Sequence, residues 1–355
     1  MTYLNFVIVY CLRQLNGERS IYSVYHILKG KKSSQSIQDA HLFQLHTFFL
    51  SLPNLSRDYF NQKINELADG HFIEMNEDSR AHLTEKGEEV INEFQSAFFP
   101  YHMNGLVYGD RGITFWRRLN LLVQVLSNTK HKETSYFPVQ RNRNVQGWIK
   151  KFLRGVAHRD GLAIALFREL HGVLSVMEAE EDPSLLVYRL TGFHDYGLTE
   201  VQTADKLNLH GEEYRFRFLN LLHGVLSKID QHKEEYAILF SVSTVSQQQR
   251  NLTISTAKTF ELYNQGHSIE EISRIRKLKV NTIEDHFIEI ILTQDDFDTG
   301  HFIAPGELRK AVSVMKELGT RRLKPIKERL PHLTYFQIRI AIAKAGERNE
   351  SPTRT

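Results

Sequence analysis

Four places in the chain carry residue types that could do chemistry. Gly30-Lys31-Lys32-Ser33 has the composition of a phosphate-binding loop, where backbone amides and a lysine cradle a nucleotide. That loop needs an upstream glycine, where this chain has Tyr25, and a hydroxyl directly after the lysine, where it has Lys32. Asp295-Asp296-x-Asp298-x-Gly300 has the oxygen spacing of a calcium loop but no distal glutamate in register. The 17 histidines fall without metal-ligand spacing, and Cys11, the single cysteine, has no second thiol to join them. Glu178, Glu180, Glu181 and Asp182 run into Pro183 as a solvated connector rather than as a paired acid and base. No nucleophile stands beside a base. The expectation is a protein that is not an enzyme and holds no cofactor or metal, with any motor activity residing in a partner.

What remains is contact chemistry. Arg274, Arg276, Lys277 and Lys279 form a basic turn ahead of Asn281, Thr282 and His286, side chains able to meet phosphates and base edges. A second cluster holds Arg321, Arg322, Lys324, Lys327 and Arg329. In the third, no acidic residue occurs from Thr134 to Arg159, while Arg141, Arg143, Lys150, Lys151, Arg154 and Arg159 alternate with Tyr136, Phe137 and Trp148. Cations beside aromatic rings suit a phosphate track with stacking platforms for single strands; the plainer reading is a solvated helix face over a core of Trp148, Phe152 and Leu153. Glu284, Asp285 and Glu289 oppose the first cluster, because three carboxylates on a groove-facing helix repel a polyanion. That helix therefore reads either as a duplex contact or as a docking and spacing element.

The positioning elements follow from periodicity and caps. Ser268-x-x-Glu271 and Asn281-x-x-Glu284 are two capping boxes, and they predict consecutive helices over a shared core of Ile269, Ile272, Ile275, Ile283, Phe287, Ile290 and Ile291. Thr199-x-x-Gln202 predicts a similar short helix and turn before a long helix from about Glu212. Near the N-terminus, Ser56 caps a helix through Ala68, followed by two short strands about the turn Asn76–Ser79; together these have the outline of a winged helix, with a plain helical hairpin as the alternative. Arg117-x-Leu-Asn-Leu-Leu-x-x-Val-Leu-Ser127 recurs as Arg217–Ser227, and Leu170–Ser175 repeats Leu222–Ser227 letter for letter, which suggests stacked helical units.

Composition bounds the rest. At 355 residues, two or three domains are expected. The 45 basic and 42 acidic residues leave only +3, so whole-chain charge does not announce a nucleic-acid binder. A lone cysteine fits a reducing cytoplasm, and the apolar run within Met1–Leu15 reads as a buried first helix rather than as a leader or membrane span. The division expected is a winged-helix-like domain over 1–99, a helical middle over 100–241, a Ser/Gln-rich linker over 242–251, a helix-turn-helix domain over 252–347 and a flexible tail over 348–355. The class is mainly α.

Gly266-x-Ser-Ile-x-Glu-Ile-x-x-Ile-Arg276-x-Leu278, continued through Thr282-Ile283-x-x-His286 and Leu333-Thr-Tyr-x-x-Ile-Arg-Ile-Ala341, resembles the helix-turn-helix domain at the C-termini of RecQ-type helicases. With Ile27–Asp39 included, the whole chain resembles the YpbB family of Gram-positive bacteria. The resemblance implies a protein that works with a RecQ-like helicase lacking this module. Joined to the basic clusters and the lone cysteine, it leads to the expectation of a cytoplasmic, nucleoid-associated accessory protein that lends such a helicase DNA contacts in repair or recombination, on single-stranded or forked DNA. A helix-turn-helix transcription regulator, or a helicase adaptor without DNA contact, stay open beside it.

Overall fold

Alternating apolar faces and side-chain caps turn most of the chain helical. In the computed structural model, which describes residues 1–97, 99–156, 158–244, 252–294 and 296–346, the only strands among the described residues are one short antiparallel pair. The N-terminal run forms α1 (Tyr3–Leu15), with Leu4, Val7, Ile8, Val9 and Cys11 fully buried. It is followed by α2 (Ile21–Lys29) and α3 (Ser34–Leu42). Ser56 caps α4 (Arg57–Asp69) by accepting the Tyr59 amide, and Phe60, Ile64 and Leu67 form its buried face. The hairpin reading holds: β1 (Ile73–Met75) pairs with β2 (Ala81–Leu83), and Asn76 Oδ1 accepts the Arg80 amide to close the turn. Then comes α5 (Glu85–Ala97).

The middle of the chain contains α6 (Gly105–Lys130), α7 (Arg143–Arg154), α8 (Arg159–Met177), α9 (Ser184–Val187), α10 (Glu200–Lys206), α11 (Gly211–Gln231) and α12 (Ala237–Ser243). The three copies of the leucine-rich echo lie in α6, α8 and α11, which pack on one another. Two of the copies share an asparagine that ties the helix to a distant segment: Asn120 holds the backbone of Arg189 and Thr191, and Asn220 accepts the His102 amide while donating to the Glu181 carboxylate. The capping box at Thr199 and Gln202 forms as predicted. The long helix after it, α11, is buried from Phe218 to Leu226, so this second helix-turn-helix outline supplies a core rather than a reading head.

His223, inside α11, accepts the Asn104 amide on Nδ1, and among the described residues its Nε2 has no partner. Burial holds its pKa at about 3 instead of 6.5. Below pH 6.5 the unfolded chain takes up a proton that the folded chain refuses, so stability falls with pH across the window from 6.5 to 3. The expected slope from this group is about 1.4 kcal/mol per pH unit. His223→Gln should flatten that part of a melting-temperature-against-pH curve.

The last part holds α13 (Ile254–Asn264), α14 (Ile269–Arg276), α15 (Val280–Thr293), α16 (Pro305–Leu318), α17 (Leu323–Arg329) and α18 (Tyr335–Gly346). Ile272, Ile283, Phe287, Ile290 and Ile291 form its centre, as the apolar period predicts, with Phe336 and Ile340 added from α18. Ile275 does not join them; it is half exposed.

The chain divides into two compact units, Met1–Leu4 with Ala97–Val245, and Asn5–Ser96 with Ser246–Thr355. The winged-helix-like block and the helix-turn-helix block thus share one unit, joined where α3 packs on α15 and α18. Of the expected linker, Val242 and Ser243 are buried residues of α12; its part beyond Thr244, the C-terminal tail and Asp295 lie outside the described residues. No described helix is long and apolar enough to cross a membrane.

Candidate nucleic-acid interface

Local sequence sets up the helix-turn-helix, and its surroundings decide what it can touch. Ser268 and Glu271 form their reciprocal box at the start of α14. Lys277 ends that helix in the left-handed conformation (φ 53°), and Ser273 Oγ donates to the Leu278 carbonyl across the turn. This tight exit starts α15 at Val280, with Lys279 as its cap residue. The predicted box at Asn281 and Glu284 therefore does not form, and Asn281 lies inside the first turn. Beyond that turn α15 is enclosed by α3, α13, α14 and α18, and every residue from His286 to Leu292 is buried.

Several expected DNA contacts are therefore structural. Arg276 points back to α13, donating to the Ser255 carbonyl (2.7 Å), Thr259 Oγ1 (2.5 Å) and Ser255 Oγ (2.9 Å). His286 is buried with Nδ1 2.8 Å from Thr259 Oγ1, and its pKa is lowered to about 4 by burial and by the charge of Arg276. Glu289 also faces inward, accepting from the Thr253 amide and from the hydroxyls of Thr253 and Thr256; burial raises its pKa. It does not oppose a polyanion, and Asp285 pairs with Arg339. What stays exposed is the turn: Arg274, Lys277, Lys279 and Asn281, with Thr282 half buried.

The second cluster divides in the same way. Arg321 donates to the Leu42 carbonyl, an orphan acceptor at the end of α3, and its backbone amide reaches Glu18. Lys327 holds the Pro331 and Leu333 carbonyls, and Arg329 pairs with Glu317. Arg322 and Lys324 remain exposed on a cleft of about 670 Å³ whose other lining includes Arg19, Asp78 and Arg80. Arg80 belongs to the hairpin, some 240 residues earlier, so no local signal in the sequence announces this meeting.

The third cluster is the one left open. α7 packs on α6 through Val145, Ile149 and Leu153, and its opposite face carries Arg143, Lys150, Lys151 and Arg154, all exposed. Arg141, just before the helix, is exposed too. None of these five makes an ion pair among the described residues. Between Lys130 and Asp160, eight lysines and arginines stand against two acidic residues, a local +6 in a chain whose total is +3. Trp148 is not a free platform: Arg118 lies over its ring at 4.3 Å and Phe152 stacks on it at 5.0 Å. It fixes α7 to α6, as the plainer reading of the sequence has it, while the cations are the solvated face.

Comparison with known proteins finds a relative over the whole chain and a family over one domain. The chain is 32% identical over 347 residues to Protein YpbB of Bacillus subtilis (strain 168), covering 97% of this chain and 98% of that protein. Residues 247–342 match a family described as a helix-turn-helix domain. No solved structure matches.

Proposed function

The chain belongs to the YpbB family, and from that membership we propose that it is a DNA-binding accessory protein of a RecQ-like helicase, without chemistry of its own. The observation that carries the reading is the exposed basic face of α7, unpaired among the described residues, within a segment, Lys130–Asp160, that carries +6 in a chain otherwise net acidic. A solvated structural helix gains nothing from so one-sided a charge. A phosphate backbone does, through release of its counterions. The open turn of the helix-turn-helix domain, Arg274, Lys277 and Lys279, supplies a second and smaller set of phosphate contacts.

The role assigned to the protein is tethering. A weak additional DNA site raises the local concentration of strand near the helicase instead of accelerating a chemical step. The alternative of a promoter-reading regulator fits less well. Such a protein presents a helix to the major groove, and both long helices that follow a turn, α11 and α15, are core helices past their first turns.

Affinity purification of the full chain from nuclease-treated and untreated lysate tests the proposal. The expected result is a RecQ-like helicase retained after nuclease treatment, together with binding of single-stranded or forked DNA by the purified chain that weakens steeply with salt. A purified chain that binds no DNA at low salt would remove the DNA-binding half. Loss of the helicase on nuclease treatment would remove the partnership.

A further inference from the structure

The segment leading into α7 is built to display one side chain. Phe137 is 95% exposed, an unusual state for a residue whose backbone is held so firmly. The buried side chain of Gln124 grips the backbone that follows the ring, donating Nε2 to the Phe137 carbonyl (3.0 Å) and accepting the Val139 amide on Oε1 (2.8 Å). Gln146 of α7 then donates to the Gln140 carbonyl at 2.8 Å, so the segment is pinned again before Arg141. An aromatic ring with no packing partner of its own normally lies on a mobile loop or turns inward. Here three hydrogen bonds from two glutamines hold the backbone from Phe137 to Gln140, just ahead in the chain of five cations without ion pairs among the described residues.

A second feature lies on α7. Gly147 occupies the middle of the exposed face, one turn from Arg143 and Lys150 on the row Arg143-Gly147-Lys150-Arg154. A glycine inside a helix costs about 1 kcal/mol relative to alanine. Nothing in the fold requires it: a Cβ at this position meets no atom within 4 Å. The missing side chain leaves the helix backbone open to close approach at the centre of the basic row.

We infer that Phe137 and the row Arg143-Gly147-Lys150-Arg154 form a seat for an unpaired nucleic-acid strand, with a base stacked on the Phe137 ring and the sugar-phosphate backbone against Gly147. The inference rests on the DNA-binding reading above and narrows it to single strands, since a paired base has no free face to offer the ring. Stacking on an aromatic side chain is sequence-tolerant, so the seat takes any strand rather than a particular one.

The test compares, by fluorescence anisotropy on the full chain, a short oligothymidylate with an abasic strand of the same length. Phe137→Ala should weaken the oligothymidylate about 5- to 150-fold, the range for loss of one stacked base, and leave the abasic strand unchanged. Gly147→Ala should raise the melting temperature, because alanine favours the helix, and yet weaken both strands; loss of folding cannot produce that combination. Wild-type affinity of Phe137→Ala for oligothymidylate, or equal loss on both strands, overturns the stacking. Unchanged affinity in Gly147→Ala overturns the backbone path. If either occurs while reversal of the α7 cations still abolishes binding, the seat is wrong and the broader reading stands. If the wild-type chain binds neither strand, both fall.

Discussion

Replacing Arg143, Lys150 and Lys151 together by glutamate is expected to lower affinity for single-stranded DNA about 100-fold or more at low salt and to leave the fold intact. The binding effect follows from polyelectrolyte behaviour. Each phosphate contact on a single strand contributes about 0.7 to the logarithmic salt slope, so loss of three should flatten the slope by about 2. The fold should tolerate the change because all three side chains are exposed and none is ion-paired among the described residues. Helix polarity points the same way. Arg143 opens α7, where a glutamate interacts favourably with the helix dipole, and Lys151 lies in the last turn, where it does not. The two effects, each about 0.3–1 kcal/mol, oppose one another. Reversal of Lys277 and Lys279 in the helix-turn-helix turn should cost less affinity, because fewer cations are open there. Anisotropy titrations across a salt series, beside thermal melts, measure all of this. An unchanged salt slope in the α7 variant would show that its face does not meet phosphate.

What could be read from the sequence was local. Ser56, Thr199 and Ser268 cap the helices they announce, because a side-chain oxygen three residues from the amide it serves needs no distant partner. The hairpin at Asn76 and the isoleucine-phenylalanine centre are legible for the same reason. What could not be read was non-local. Ser34–Leu42 is polar enough to pass for a surface helix, yet it covers α15, and Ser36, Gln38 and Asp39 are buried within it. Asp39 is made tolerable there by Arg19, 20 residues away, with Ser23 and Gln35. Without that cover α15 would pass for a free reading helix. The box expected at Asn281 failed because a lysine, Lys277, adopts the left-handed conformation that the sequence pattern would assign to glycine or asparagine. Of the candidate site, the α7 cations survive as a surface because no ion pair among the described residues claims them. Arg276, Arg321 and His286 do not, because backbone carbonyls and hydroxyls far along the chain use them first.

Adjacent residues of the basic turn should therefore respond in opposite directions. Arg276→Ala removes a guanidinium that serves the Ser255 carbonyl, the Ser255 hydroxyl and the buried Thr259 hydroxyl. Hydrogen bonds to a charged group contribute about 1.5–3 kcal/mol each and do not add fully, so a loss of about 2–4 kcal/mol is expected. That corresponds to a melting temperature lower by about 5–10 °C for a unit of this size. Lys277→Gly deletes the next cation but relieves a left-handed residue that costs an L side chain about 1–2 kcal/mol. Against the greater freedom of glycine in the unfolded chain, the net effect should lie between neutral and about 1 kcal/mol of stabilisation. A second readout separates packing from contact. Arg276 helps hold His286 at about 4, so in Arg276→Ala the imidazole should titrate closer to 6.5, which NMR can follow at a temperature where the variant is folded. At that temperature its affinity for single-stranded DNA should match the wild type. If Arg276→Ala kept its melting temperature and lost affinity instead, the arginine would belong to the binding surface, and the enclosure of α15 would not describe the protein in solution.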